Sequence, residues 1–405
     1  MALGTISTEP PGRLGRPFTN SQHALNWQLL FNPAEWSTPD ILTVWHSLLP
    51  LGGLGALWQS PEWLDHMHAT NDAGRSALCV GRDLAGQVRG IAPIRIGRSK
   101  LSFGLSEYNL GRFSFRCLEL LGGPPLLCEG AAAYESLFEF LHASFPECDA
   151  IKLGSVLDAS AWWGYIRESP IIRQHYLTYL PAGFRSYHIV KLPATFEAYL
   201  AQYGAKKRYN LRRQVKILSC YAQKRMELVR VVMPTQVPAL MASLRRMQSW
   251  NRWLRTQTCW IGEAAAQPVL TDIAARGLLR SYLLRCEDRE VAGIYGLQYG
   301  DVFYLEATAF DSQFARFSPG TVLLHLLIED LIKCTLTKWI DIGFGEPFYE
   351  HSSTNTRLQR AAVALFRKTA GNRVRLAAHA AFLATAGKLK TAAICMGLKR
   401  GTLIE

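Results

Sequence analysis

The sequence predicts an α+β (mixed α/β) fold: two halves in tandem, each a mixed, mostly antiparallel sheet flanked by helices. Three observations carry this. The order strand, strand, strand, helix, strand occurs twice along the 405 residues. The turns at 81–86 and 287–290 are too short for a parallel crossover, so the strands they join pair antiparallel. The halves also share short segments: "DLAGQVRGI" (83–91) aligns with "CEDREVAGI" (286–294), and "AIKLG" (150–154) with "WIDIG" (339–343).

In the first half, 42–54 and 61–69 have helical spacing, and 77–80 and 88–96 read as strands around the 81–86 turn. A short strand at 118–121 ends at Gly122-Gly123-Pro124-Pro125, a helix follows over 131–143, and a strand over 150–153 stops at Gly154. In the second half, strands at 279–285, 291–299 and 302–309 precede a helix at 321–333 and a strand at 339–342 that stops at Gly343. An entry strand within 181–193 and a helix from Thr195 join the two. The expected division is a disordered tail over 1–30, domains over 31–182 and 183–372, and a basic amphipathic helix over 373–405.

Charge separates the halves. Residues 1–185 hold 14 Lys and Arg against 16 Asp and Glu, whereas 186–405 hold 31 against 16. The excess of the +13 net charge therefore sits in the second half, which is where an anionic ligand is expected. The nine cysteines are scattered and form no Cys-x-x-Cys, so a disulfide scaffold or zinc site is not expected and a cytoplasmic protein with reduced thiols is. No run is long and apolar enough to span a bilayer, and the beginning lacks the apolar core of a secretory signal. There is no P-loop, His-Glu-x-x-His or Gly-x-Ser-x-Gly. His66 and His68 stand two apart, on different helix faces, and make a poor metal pair, so no metal is expected.

The stretch "FDSQFARFSPGTVLLHLLIEDLI" (310–332) places Ser318-Pro319-Gly320-Thr321 at the head of an apolar helix. Two readings fit. One is an ordinary Ser-capped helix start. The other is a phosphate pocket, in which unpaired N–H groups of Gly320 and Thr321 meet the anion with Ser318 and Arg316 beside them. A second basic feature is "AKKRYNLRRQVK" (205–216), where six of twelve residues are basic. On a helix, Lys206, Tyr209, Arg213 and Lys216 share a face, with Leu211, Val215 and Leu218 on the buried side. A solvated face, the phosphates of a ligand, a polyanionic acceptor and nucleic acid all suit it. "RRMQSWNRWLRTQTCW" (245–260) sets Trp250 and Trp253 on one face, as core or as the wall of a sugar or acyl pocket.

The strand "VFYLEATAF", the Ser-Pro-Gly loop, the apolar helix and the Gly-bounded strand together resemble the GNAT acyltransferase superfamily. More narrowly, 192–218, 275–332 and 339–350 are similar to CelD/BcsL-type acetyltransferases, which pair two GNAT-like halves. The likeness is good over the second half and thinner over 36–183, where it rests on the hairpin and "LGGPPL". The chain departs from related sequences at Tyr349-Glu350, where they tend to read Tyr-Lys.

The resemblance implies a degenerate first domain and a second domain that takes acetyl-CoA or another acyl-CoA as co-substrate, bound at Arg316, Ser318, Gly320 and Thr321. It implies N-acyl transfer to an amine, such as an amino sugar or polysaccharide precursor. That chemistry needs a base: Glu306 first, with Asp341 and Glu346 next, Tyr349 as acid and His351 as a fallback base. Lys206, Arg213 and Trp250 are the substrate-binding candidates. Two alternatives stand beside this: a FemABX-like transferase drawing on aminoacyl-tRNA, and a non-catalytic accessory of polysaccharide synthesis or a nucleic-acid-binding protein. The basic C-terminal helix is expected to pack on its own domain, with peripheral membrane contact as the lesser alternative.

Overall fold

The computed structural model describes residues 24–70, 74–105, 108–128, 130–223, 225–248, 263–344 and 356–395. The chain forms two compact units, Met1–Arg185 with Gln359–Glu405, and Ser186–Leu358.

The first unit holds strands β1 (Asn26–Leu30), β2 (Gly74–Arg82), β3 (Val88–Leu105), β4 (Tyr108–Leu120), β5 (Leu126–Leu127), β6 (Ala150–Leu157) and β7 (Tyr176–Tyr179). Its main helices are α1 (Pro33–Trp36), α2 (Pro39–Leu48), α3 (Pro61–Thr70), α4 (Ala131–Ser144), α5 (Ala161–Glu168) and α6 (Pro170–His175). The second unit holds β8 (Arg185–Lys191), α7 (Phe196–Ala201), α8 (Ala205–Tyr221), β9 (Met226–Val231), α9 (Val237–Gln248), α10 (Ala266–Ala275), β10 (Ser281–Cys286), β11 (Arg289–Tyr299), β12 (Val302–Phe310), α11 (Pro319–Lys333) and β13 (Trp339–Phe344). The chain then returns to the first unit as β14 (Thr356–Arg367) and α12 (Ala370–Cys395).

Both units have one topology. The first runs β1-β2-β3-β4-β6-β14 and the second β9-β10-β11-β12-β13-β8. Each has a single parallel pair in that path, β4 with β6 and β12 with β13. The duplicated strand order read from the sequence is thus present in space. Each sheet takes its last strand from outside the run of its other five, β14 from after the second unit and β8 from before it.

Several boundaries differ from the sequence reading. The expected tail over 1–30 ends earlier: β1 pairs along β2, and the Trp27 indole donates to Ser136 Oγ at 3.0 Å. Residues 1–23 lie outside the described residues. The segment 359–372, placed by sequence with the second domain, belongs to the first unit because β14 pairs with β6 there. The hairpin of β3 and β4 runs far beyond 88–96 and 118–121, paired from Ile94–Leu120 to Leu105–Tyr108 with one register shift between Phe103 and Gly104. One face of that extension is covered by α12, whose Leu376 packs with Leu101 and Phe115. The C-terminal helix starts at Ala370, three residues early, where the Thr369 hydroxyl accepts from the Asn372 N–H at 3.1 Å. The helix expected from Thr195 is two, α7 and α8, broken at Gly204.

The core of the second unit lies under one face of its sheet, where α7, α8 and α11 bring Tyr199, Leu218, Leu323 and Leu327 against Tyr282, Ile294, Phe303 and Ile340. On the other face α9 sets Leu244 against Gly293, so close that a Cβ there would lie 2.7 Å from the leucine Cδ2. Gly296 serves the first face in the same way, and a Cβ on it would lie 2.4 Å from Phe303 Cζ and 2.9 Å from the Arg280 carbonyl oxygen. Gly296→Val is therefore expected to cost about 2–3 kcal/mol through overpacking. A fall in the urea midpoint checks this; an unchanged midpoint would mean that Phe303 has room to move.

Candidate active site

The site grows from one irregularity in β12. Tyr295 of β11 faces Ala307, and the next residue, Gly296, faces Leu305. Glu306 is the extra residue between them, a β-bulge. Residues directly opposite in a ladder share a face, so the bulge resets which side each residue takes. Tyr304, opposite Leu297, lies on the α9 face, and Glu306 stays on that side beside Tyr295. Thr308, opposite Ile294, lies on the face that carries α11. Simple alternation would have kept Tyr304, Glu306 and Thr308 together; the bulge separates the last from the first two.

At the same place β12 loses its other neighbour. The parallel pairing with β13 covers Val302, Tyr304 and the residue between them, opposite Trp339 to Asp341. Past Tyr304, the described part of β13 turns to β8, where Gly343 faces His188 and Phe344 faces Tyr187. Among the described residues, 305–310 are therefore paired on the β11 side alone. The two strands open into a split, with Glu306 at its apex. The parallel pair of the first unit has no such split. There the pairing covers the last residues of β4, Cys117 to Leu120, and no stretch of β4 is left beyond it.

The electrostatics at the apex suit proton transfer. The Glu306 side chain reaches solvent, yet protein atoms crowd around it. That crowding, and secondly the Asp341 carboxylate, push its pKa up to about 7. Asp341 itself is buried and held twice. The Tyr187 hydroxyl donates to its Oδ2 at 2.6 Å, and the Gly343 N–H donates to Oδ1 at 2.9 Å. Gly343 reaches that position with φ of 81°, in the left-handed region that favours glycine. Asp341 thus acts on Glu306 through its charge, from a position fixed by two donors. Burial, and then Glu306, raise the pKa of Tyr295 and keep its phenol protonated.

The wide end of the split meets α11. Gly320 lies beside Phe310, where a Cβ would sit 3.8 Å from the ring. The helix start differs from an ordinary cap. Ser318 is left-handed, at φ 51° and ψ 52°, and its hydroxyl makes no capping bond. Its carbonyl instead accepts from the N–H groups of Thr321 at 3.0 Å and Val322 at 3.1 Å. The Thr321 amide is therefore already used. With Pro319 lacking an N–H, the Gly320 N–H is the donor left at this helix start, with no partner among the described residues. Arg316 is exposed, its guanidinium 4.6 Å from the centre of the Phe317 ring.

The basic helix joins this site only at its far end. Tyr221, the last residue of α8, packs on Phe314 and Phe317 just ahead of α11. Arg213 stands about 12 Å and Lys206 about 22 Å back along α8 from there. Both are exposed and neither is brought to Gly320. Trp250, Glu346, Tyr349 and His351 lie outside the described residues. The sequence reading missed Tyr187, which holds Asp341, and His188, a buried residue whose two ring nitrogens have no hydrogen-bond partner among the described residues. The signal was Tyr187 and His188 set directly before the apolar Ile189-Val190 of the entry strand.

Residues 205–351 match the family model described as acetyltransferase (GNAT) domain. No curated protein matches the chain. Among solved structures, FemX is similar with a TM-score of 0.51 at 9% identity, over 82% of this chain and 96% of that one. A conserved protein of unknown function from Bacteroides thetaiotaomicron VPI-5482 reaches 0.47 at 10% identity, over 80% and 97%. L-PGS from Bacillus licheniformis reaches 0.45 at 12%, over 77% and 90%. The chain has a FemX-like fold, and the stretch that matches the GNAT domain model spans most of the second unit.

The raised Glu306 pKa has a consequence for stability. A carboxyl whose folded pKa lies above its unfolded value ionises less readily in the folded chain, so stability falls as pH rises from the ordinary carboxyl value of 4.5 to about 7. Glu306→Gln is expected to melt higher than the parent at about pH 8, with the gap closing towards pH 5 or below. Melting curves at the two pH values check this; a constant gap would mean that the carboxyl titrates normally.

Proposed function

We propose that the second unit is an acyl-CoA-dependent N-acyltransferase, with Glu306 as the base that takes a proton from the acceptor amine. The observation that supports it is the split beside β12, which has a carboxylate poised near neutral pH at its apex and an unused helix N–H at its open end. The free strand edge of 305–310 suits an extended ligand with amide groups, since such a chain can pair as an added strand. The start of α11 suits a phosphate, through the Gly320 N–H, the Ser318 hydroxyl and the helix dipole, with Arg316 nearby. Acyl-CoA has both features and would supply the thioester.

The work of the protein is then to hold, aim and deprotonate. An amine is protonated in water at neutral pH and does not attack a thioester until the proton is removed. A carboxylate near pH 7 accepts that proton and gives it up again within the same pH range. The crowding of protein atoms, and secondly Asp341, keep the Glu306 pKa there, and Tyr187 helps to keep Asp341 in place. The acceptor is an amine, and an amino sugar of a polysaccharide precursor is the first to assay.

Glu306→Gln should lower kcat by about 10²–10⁴-fold and remove the rising limb of the pH–rate profile near pH 7. A variant that keeps both would put the base elsewhere. Binding is tested separately. Acetyl-CoA should raise the melting temperature, by an amount equivalent to about 2.7 kcal/mol at a hundredfold excess over Kd. Gly320→Val should remove that rise while the ligand-free protein melts as before, since the space at Gly320 is ordinary. A rise that survives Gly320→Val would place the phosphates elsewhere. A rise with aminoacyl-tRNA and none with any CoA would move the donor to the FemABX type.

A further inference from the structure

Many charges of the second unit pair with one another, but one basic run does not. Arg225 meets Glu287, Arg276 meets Asp272, Arg285 meets Glu227, and Lys333 meets Glu329. The exception is α8. Its Lys206, Arg208, Arg212, Arg213 and Lys216 make no side-chain hydrogen bond or ion pair among the described residues. The reason is compositional as well as spatial, because no Asp or Glu occurs between Glu197 and Glu227.

This helix also stands proud of the surface. Of its 17 residues only Leu218 is buried, with Leu211 and Val215 partly so. Lys206, Tyr209, Arg213 and Lys216 recur at helical spacing and are all exposed, forming a stripe about 15 Å long. Tyr209 is 67% exposed at its centre, and Ile217 and Tyr221 continue the uncovered side at 39% and 50%. Unpaired like charges along one helix repel one another, and no carboxylate among the described residues pairs with them. An external polyanion would.

We infer that α8 is a docking face for an anionic lipid surface. The shape argues for a plane. Single-stranded nucleic acid is held in a groove with successive aromatic platforms, whereas this helix is convex and carries one exposed ring between its cations. Long Lys and Arg side chains on a convex helix reach a row of headgroups together, and Tyr sits well at the headgroup level with its ring apolar and its hydroxyl wet. The contact is at the surface alone: no helix among the described residues is long and apolar enough to cross a membrane. It stands apart from the acyl-transfer reading, since binding needs neither donor nor Glu306.

Sedimentation with vesicles tests it. The protein should pellet with equimolar phosphatidylglycerol and phosphatidylcholine at low salt, be released near 0.5 M salt, and ignore pure phosphatidylcholine. Arg212→Gln/Arg213→Gln/Lys216→Gln should lower partitioning roughly 100-fold, about fivefold per charge. Arg213→Gln alone should lower it about fivefold, and keeps the test open if the triple variant folds poorly. Glu306→Gln should bind vesicles as the parent does. Three results would overturn the inference. The triple variant could pellet with vesicles as fully as the parent. Binding could instead vanish on neutralising Arg373 and Lys388 of α12. Or a labelled oligouridylate could bind more tightly than the vesicles at equal salt and be lost in the triple variant.

Discussion

A single inserted residue in β12 governs the candidate site. Without the bulge at Glu306, β12 would keep its alternation and its flat course. With it, the strand twists away from β13, and the carboxylate is left at the apex of the gap so formed. The elements around it hold this irregular geometry in place. Phe303 is locked across Gly296 just before the bulge, and Phe310 packs beside Gly320 just after it. Asp341 sits on the last residue of β13 that still pairs with β12, close enough to act on Glu306 and restrained by Tyr187 and Gly343.

The two units show why topology alone does not make a site. They share strand order, antiparallel hairpins and one parallel pair. The difference is where along the strand the parallel pairing falls. In the second unit it covers the start of β12 and leaves the rest free; in the first it covers the end of β4 and leaves nothing. The first unit also packs Gly55 against Gly122 just past β4, so tightly that a Cβ on Gly55 would lie 2.3 Å from the Gly122 carbonyl oxygen. The same architecture is open in one copy and closed in the other.

Much of this was legible in the sequence because hydrophobic periodicity and short turns are local signals. The hairpins, α4, α11 and the Gly-bounded strands β6 and β13 came from spacing alone. What escaped depended on contacts far along the chain. The extension of β3 and β4 looks too polar for a strand until α12 covers one side of it. The bulge is invisible in "YLEATAF", since the sequence shows an alternation that the register breaks. At the helix start, Ser318-Pro319-Gly320-Thr321 marked the first turn of α11 but not that, of the Gly320 and Thr321 N–H groups, only the first is left unused among the described residues. Residue type could not reveal that Ser318 would turn left-handed and use its carbonyl to satisfy Thr321. Lys206 and Arg213 were chosen for charge, and distance along α8 separates them from the site.

The path of the chain between the units also fixes an order of assembly. The second unit takes its last strand, β8, from chain already made when its other strands appear. The first unit must wait for β14, which follows everything in the second. During synthesis, the N-terminal sheet is therefore held with the outer edge of β6 bare while nearly two hundred further residues are added. Bare strand edges invite pairing with other chains. The half made first is the half finished last, and its exposure to misassembly lasts as long as the ribosome takes to reach Arg367.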